Sequence, residues 1–239
     1  MFASRRIAVL GGDAFKQEHS LEFDGSNESI SLGASVDAGT TSTFSVWIKR
    51  DNPTNGVETV LGEGDNSSDY LLYLNKNTHL FVRIGDPYYQ YDDAAIQSAI
   101  NTTDWIQIVV VRETTTGKVY INGDLKETLT TGSPTTWSVN TTFDTIGSAE
   151  DAATPFDGNI DEVAIWNKAW SAGDISALYQ AKGASNLIED GNSANLQGWW
   201  RMGDGTEGGG GTTIYDMSAN SNNGTMTNMD SSNFKREIP

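Results

Sequence analysis

The chain has 239 residues, no cysteine, and 32 acidic against 15 basic side chains, a formal net charge of −17. The missing cysteines exclude a disulfide framework, a zinc-thiolate centre and a cysteine nucleophile, and the charge argues against nucleic acid and anionic lipid as partners. No apolar run approaches the ~20 residues of a membrane-spanning helix, so no membrane insertion is expected.

At the start, Arg5-Arg6 precedes Ile7–Leu10, a run shorter than the roughly 7–15 apolar residues of a signal peptide core. Residues 1–19 are therefore expected to form an N-terminal arm. Arg5 and Arg6 are its assembly residues, because guanidinium groups bind carboxylates in bidentate fashion and an acidic neighbouring subunit offers them.

Ser20–Gly25 alternates Leu21 and Phe23 with polar residues and turns at Asp24-Gly25, and Ser29–Leu32 resumes the alternation. That reads as strand, turn, strand. In Thr43–Lys49, Phe44, Val46 and Ile48 share one face and Trp47 takes the other. Tyr70–Leu74 and His79–Ile84 make a hairpin. Trp105–Arg112 is rich in β-branched residues and suits a central strand. Asn122-Gly123 marks a tight type I′ turn between Lys118–Asn122 and Leu125–Leu129, and Asn159–Trp166 alternates again. One helix is expected: Ser171 stands three residues before Asp174, and Ile175, Leu178 and Tyr179 follow at helical spacing before Gly183. Leu196–Met202 returns to strand, Gly203–Thr212 is a glycine-rich loop, and Ile214–Met226 holds the last strands. Many short strands with one helix and no repeat period predict an all-β fold. Its form is a two-sheet antiparallel jelly-roll sandwich over residues 20–239, completed by the C-terminal strands.

Three motifs carry a resemblance: Leu21-Glu-Phe-Asp-Gly-Ser-Asn27 with Thr43-Phe-Ser-Val-Trp-Ile-Lys49; Phe156-Asp-Gly-Asn-Ile-Asp-Glu-Val-Ala-Ile-Trp-Asn167 with Trp170-Ser171 and Ile175–Tyr179; and Gly198-Trp-Trp-Arg-Met-Gly203 with Tyr215–Thr225. Together they resemble laminin-G-like, pentraxin-like domains of the concanavalin A-like lectin/glucanase fold. The third motif usually opens such a domain and here closes the chain.

Glucanases on this fold carry paired carboxylates on one strand, spaced as Glu-x-Asp-x-Glu or Glu-x-Asp-x-x-Glu, which places acids on one face at the ~5–5.5 Å of a retaining mechanism. Asp161 and Glu162 are adjacent, so this pattern is absent, and the chain is expected to bind and not to catalyse. Asp161 resembles the strand aspartate that holds structural calcium in several such domains; bonding to nearby amides is the alternative. Asp216, Ser218, Asn220 and Asn222 place oxygens at alternate positions, as calcium loops do, or build an Asx-rich turn. Tyr88, Tyr89, Tyr91 and Trp137 are the candidate carbohydrate-binding aromatics. The resemblance implies a non-catalytic structural or binding protein. One form is a virion component, a phage capsid decoration or fibre that forms homo-oligomers, contacts other particle proteins and binds host or environmental glycans. The alternative is an extracellular or cell-surface bacterial adhesin or carbohydrate-binding module.

Overall fold

The computed structural model describes residues 17–54, 56–62, 70–82, 89–113, 116–130, 142–149, 154–203 and 211–239. Arg5, Arg6, Tyr88 and Trp137 lie outside the described residues, as does the side chain of Tyr89.

Two antiparallel sheets face each other. The first holds β1 (Ser20–Asp24), β3 (Ser42–Arg50), β8 (Ile106–Glu113), β9 (Thr116–Ile121), β10 (Asp124–Thr130), β12 (Asp157–Trp166), β13 (Leu196–Trp200) and β16 (Phe234–Lys235). Its order is β10-β9-β8-β3-β12-β1-β16, with β13 also on β12. The second holds β2 (Ser29–Asp37), β4 (Val57–Gly62), β5 (Tyr70–Asn75), β6 (His79–Val82), β7 (Tyr89–Tyr91), β11 (Thr142–Ile146), β14 (Thr213–Ile214) and β15 (Gly224–Thr227), ordered β14-β15-β2-β11-β4-β5-β6-β7. The C-terminal strands pair inside this chain: β13 with β12, β15 with β2 and β16 with β1.

The alternating apolar residues meet between the sheets, where Leu21, Phe23, Phe44, Val46, Ile48 and Ile160 are buried against Ile30, Leu72, Leu80 and Phe143. Burial at ~25 cal/mol per Å² of apolar surface makes this layer the main stabilising contribution. The Asn122-Gly123 turn has φ of +55° and +79°, the two left-handed residues a type I′ hairpin requires.

The first sheet is also covered outside. Helix α2 (Ala172–Ala181) begins with a reciprocal cap: Ser171 Oγ accepts from Asp174 N and Asp174 Oδ2 accepts from Ser171 N, both at 3.2 Å. Ile175 and Leu178 then pack on Val109, Val111, Trp166 and Trp199, and the Trp47 and Tyr179 rings stack with centroids 5.6 Å apart. This second layer explains why Trp47 is buried although it faces away from the inter-sheet core.

The expectation of one helix is corrected: the described residues hold two α-helices. Helix α1 (Ala94–Ile100) has Asp93 as its cap, accepting from Ala95 N at 2.7 Å, and buries Ile96 and Ile100. Its seven residues bury only two side chains, too few to stand out as a helical period.

Candidate functional site

After β12 the chain makes a tight turn whose shape is set by Thr43. Its Oγ1 donates to Lys168 O at 2.8 Å and accepts from Trp170 N at 3.0 Å. Trp170 is thereby laid on Trp166, ring centroids 4.3 Å apart, and α2 starts at once. Beyond α2 the chain doubles back through residues 183–195 to reach β13, leaving a cleft of about 440 Å³ against the helix. Ala177, Leu178 and Trp170 give it apolar walls, and Lys168, Asp174, Ser185, Asp190 and Asn192 give it polar ones.

Three of these polar groups are linked to one another. Lys168 Nζ donates to Asn192 Oδ1 at 2.7 Å, and Asn192 N donates to Asp190 Oδ1 at 2.8 Å. Burial raises the Asp190 pKa and the nearby Asp174 charge adds to that, while amide hydrogen bonds from Asn192 and Ser193 and the Lys168 charge oppose it. The buried Trp170 indole N–H lacks a hydrogen-bond partner, an expensive condition for a donor. A concave site of this size, part apolar with a few fixed polar groups, falls within the size range of small-molecule sites. Nothing in the sequence unites Lys168, Trp170, Asp174, Asp190 and Asn192, because only the return of residues 183–195 brings the last two against α2.

The residues singled out in the sequence sit elsewhere. Tyr91 is a correction: its ring is fully buried in the inter-sheet core, and a ring with no exposed face cannot stack on a sugar. Asp161 is fully buried, accepting from Gln17 Nε2 at 2.7 Å and from Glu162 N at 2.8 Å.

Asp216 is the hub of its turn. Oδ1 accepts from Trp199 N (2.9 Å) and Ser218 N (2.8 Å), and Oδ2 from Ser218 Oγ (2.8 Å) and Asn222 N (2.9 Å). The amides of Asn220 and Asn222 turn away from it and donate to Gln197 O at 3.0 and 3.2 Å. Four donors already converge on this carboxylate, so their positive ends stand where a cation would, and the arrangement does not fit calcium. Among the described residues no three acidic or histidine side chains are grouped to hold a metal ion.

The sequence of residues 24–176 matches the Laminin_G_3 family model, described as the concanavalin A-like lectin/glucanases superfamily. The chain belongs to this family. Its fold recurs in solved structures. A candidate carbohydrate-binding protein from Bacteroides ovatus is 19% identical with a TM-score of 0.61, over 89% of this chain and 58% of that one. The chain thus spans little more than half of that protein's length. The Ruminococcus gnavus IT-sialidase CBM40 bound to α2,3-sialyllactose is 16% identical with a TM-score of 0.51, over 70% of this chain and 98% of that one. At these identities the likeness shows the fold alone. No curated protein sequence matches the chain.

Proposed function

We propose that this chain is a non-catalytic glycan-binding module whose ligand occupies the cleft between α2 and the returning 183–195 segment. The observation that carries this reading is the cleft itself, where a lysine, two aspartates and an asparagine surround an apolar wall. Sugars present alternating hydroxyl and C–H surface, and such a wall offers partners for both. Two proteins sharing the fold, the candidate carbohydrate-binding protein and the CBM40, are described as carbohydrate binders, which supports the same class of ligand here. Catalysis is not part of the proposal: Asp161 and Glu162, two of the three acids on β12, are buried and hydrogen-bonded to protein donors.

The test is to fill the cleft. Ala177 is an exposed position on α2 that lines it, so Ala177→Trp should preserve the fold. Binding to an immobilised oligosaccharide panel should be present in the parent and lost in the variant. A parent that binds nothing on the panel overturns the reading.

We also propose that the module serves in a particle, as a phage capsid decoration or fibre subunit. The basic pair Arg5-Arg6 on a chain of net charge −17 supports contact with acidic neighbouring subunits. Mass spectrometry of purified particles tests this, and finding the protein only on bacterial surfaces supports the adhesin alternative.

A further inference from the structure

Resting on the glycan reading, we infer that the cleft selects neutral sugars and rejects those carrying a carboxylate. Its charged groups are one lysine, Lys168, against two aspartates, Asp174 and Asp190, a formal sum of +1 − 2 = −1. The lysine donates one of its three N–H groups to Asn192 Oδ1 at 2.7 Å, which leaves donors for hydroxyl groups, but its single charge is outnumbered by the two carboxylates.

The other feature able to attract an anion is the N-terminus of α2, where unpaired amides and the helix dipole favour negative charge. That position is taken. Asp174 supplies the carboxylate itself, accepting from Ser171 N at 3.2 Å and Ser171 Oγ at 2.7 Å. A sialic or uronic acid would bring a second carboxylate to an end already neutralised and set it against Asp190. The chain's net −17 adds long-range repulsion.

Neutral sugars meet no such penalty. The two aspartates accept from hydroxyl groups and Lys168 donates to them, while Ala177 and Leu178 face the C–H surface. Selectivity then arises from like-charge repulsion against the wrong ligand, beside attraction for the right one. The CBM40 that shares the fold was solved with sialyllactose bound; the same fold is here fitted to the opposite preference.

The experiment pairs neutral oligosaccharides with their sialylated or uronic-acid counterparts and measures both affinities on the full chain. The neutral member of each pair that binds should bind at least ten-fold more tightly. The gap should narrow at 1 M salt, where screening acts within ~3 Å, and should narrow again in Asp190→Asn, which keeps the shape and removes one charge. Equal or tighter binding of the charged members overturns the inference and leaves glycan binding standing. A gap unchanged in Asp190→Asn and at high salt also overturns it, because the selectivity would then be steric. If neither set binds, the glycan reading falls and this inference with it.

Discussion

The Trp199 indole N–H donates to Glu162 Oε2 at 2.6 Å, and this bond sits where β12 changes partner. From Asp157 to Ile160 the strand pairs with β1, and from Val163 to Trp166 with β13. Between them the register against β3 shifts, and Glu162 takes a φ of +49°, a left-handed conformation that costs an ordinary side chain about 1 kcal/mol or more. The buried carboxylate also faces Arg201 Nε at 3.5 Å, and the guanidinium lies 5.4 Å from the Trp199 ring centroid. The bulge, the carboxylate and the arginine together fasten the C-terminal strand to the rest of the first sheet.

Glu162→Ala is therefore expected to destabilise the fold by about 3–5 kcal/mol, since it removes both the acceptor of the buried Trp199 indole and the carboxylate that faces Arg201. Glu162→Gln retains an acceptor for Trp199 and should cost clearly less. Urea unfolding of both variants checks the order, and equal small losses would mean that β13 is held by its ladder alone.

Gly158 tests the motif Phe156-Asp-Gly158 in the same strand. Its φ is +136°, and a Cβ built there would lie 2.1 Å from Lys49 O on the paired strand. The obstacle is backbone at the centre of a sheet, which cannot move aside without breaking the β3–β12 ladder. Gly158→Ala is expected to cost more than about 3 kcal/mol, seen as a large drop in Tm or loss of soluble protein.

The strands were legible where one side of the pleat faced water or where a turn had its own signature, as at Leu21–Phe23 and Asn122-Gly123. The cleft was not, because it depends on where a chain of weak local preference returns after α2. The same holds for the sugar-stacking expectation at Tyr91. A tyrosine among polar neighbours looks exposed, but Tyr91 pairs with Leu80 on β6 and points into the core. The Asp216 series presents an oxygen at every second residue, but the amides and the hydroxyl at those positions also donate, and the fold uses them as donors.

Stability should fall as pH rises through the neutral range. Arg50 Nε donates to Glu58 Oε2 at 2.5 Å, with both side chains buried. Burial still pushes Glu58 up from 4.5 to about 7, with Arg50 opposing and the charges of Asp157 and Asp51 assisting. An acid whose folded pKa is raised binds its proton more tightly when folded. Between pH 4.5 and 7 the folded state then carries more protons than the unfolded one, and stability declines with pH. Asp157 and Asp190 are shifted in the same direction, chiefly by burial. Urea unfolding should show a loss of about 3 kcal/mol from Glu58 between pH 4.5 and 8. Glu58→Gln should flatten that slope, because the variant has no titrating proton at this position. A parent profile that rises over this window would overturn the assignment.

Calcium is the last test, and it turns on Asp216. The ion takes 6–8 oxygen ligands at about 2.3–2.6 Å, whereas Asp216 is surrounded by three N–H groups and one hydroxyl at 2.8–2.9 Å. Calcium would have to displace those donors, including the Trp199 amide that ties the turn to β13. Asp161 is filled likewise by Gln17 Nε2 and Glu162 N. An ion bound at either place at ~100 times its Kd would stabilise the fold by roughly 2.7 kcal/mol through mass action, enough to shift Tm by several degrees. Melts in calcium and in chelator are expected to superimpose. Asp216→Ala should instead lower stability by about 3 kcal/mol whether or not calcium is present, through loss of charge-assisted hydrogen bonds at a buried turn. A calcium-dependent rise in Tm that Asp216→Ala abolishes would show that the turn opens to take the ion. The donors around this carboxylate would then be the metal-free arrangement of a calcium loop.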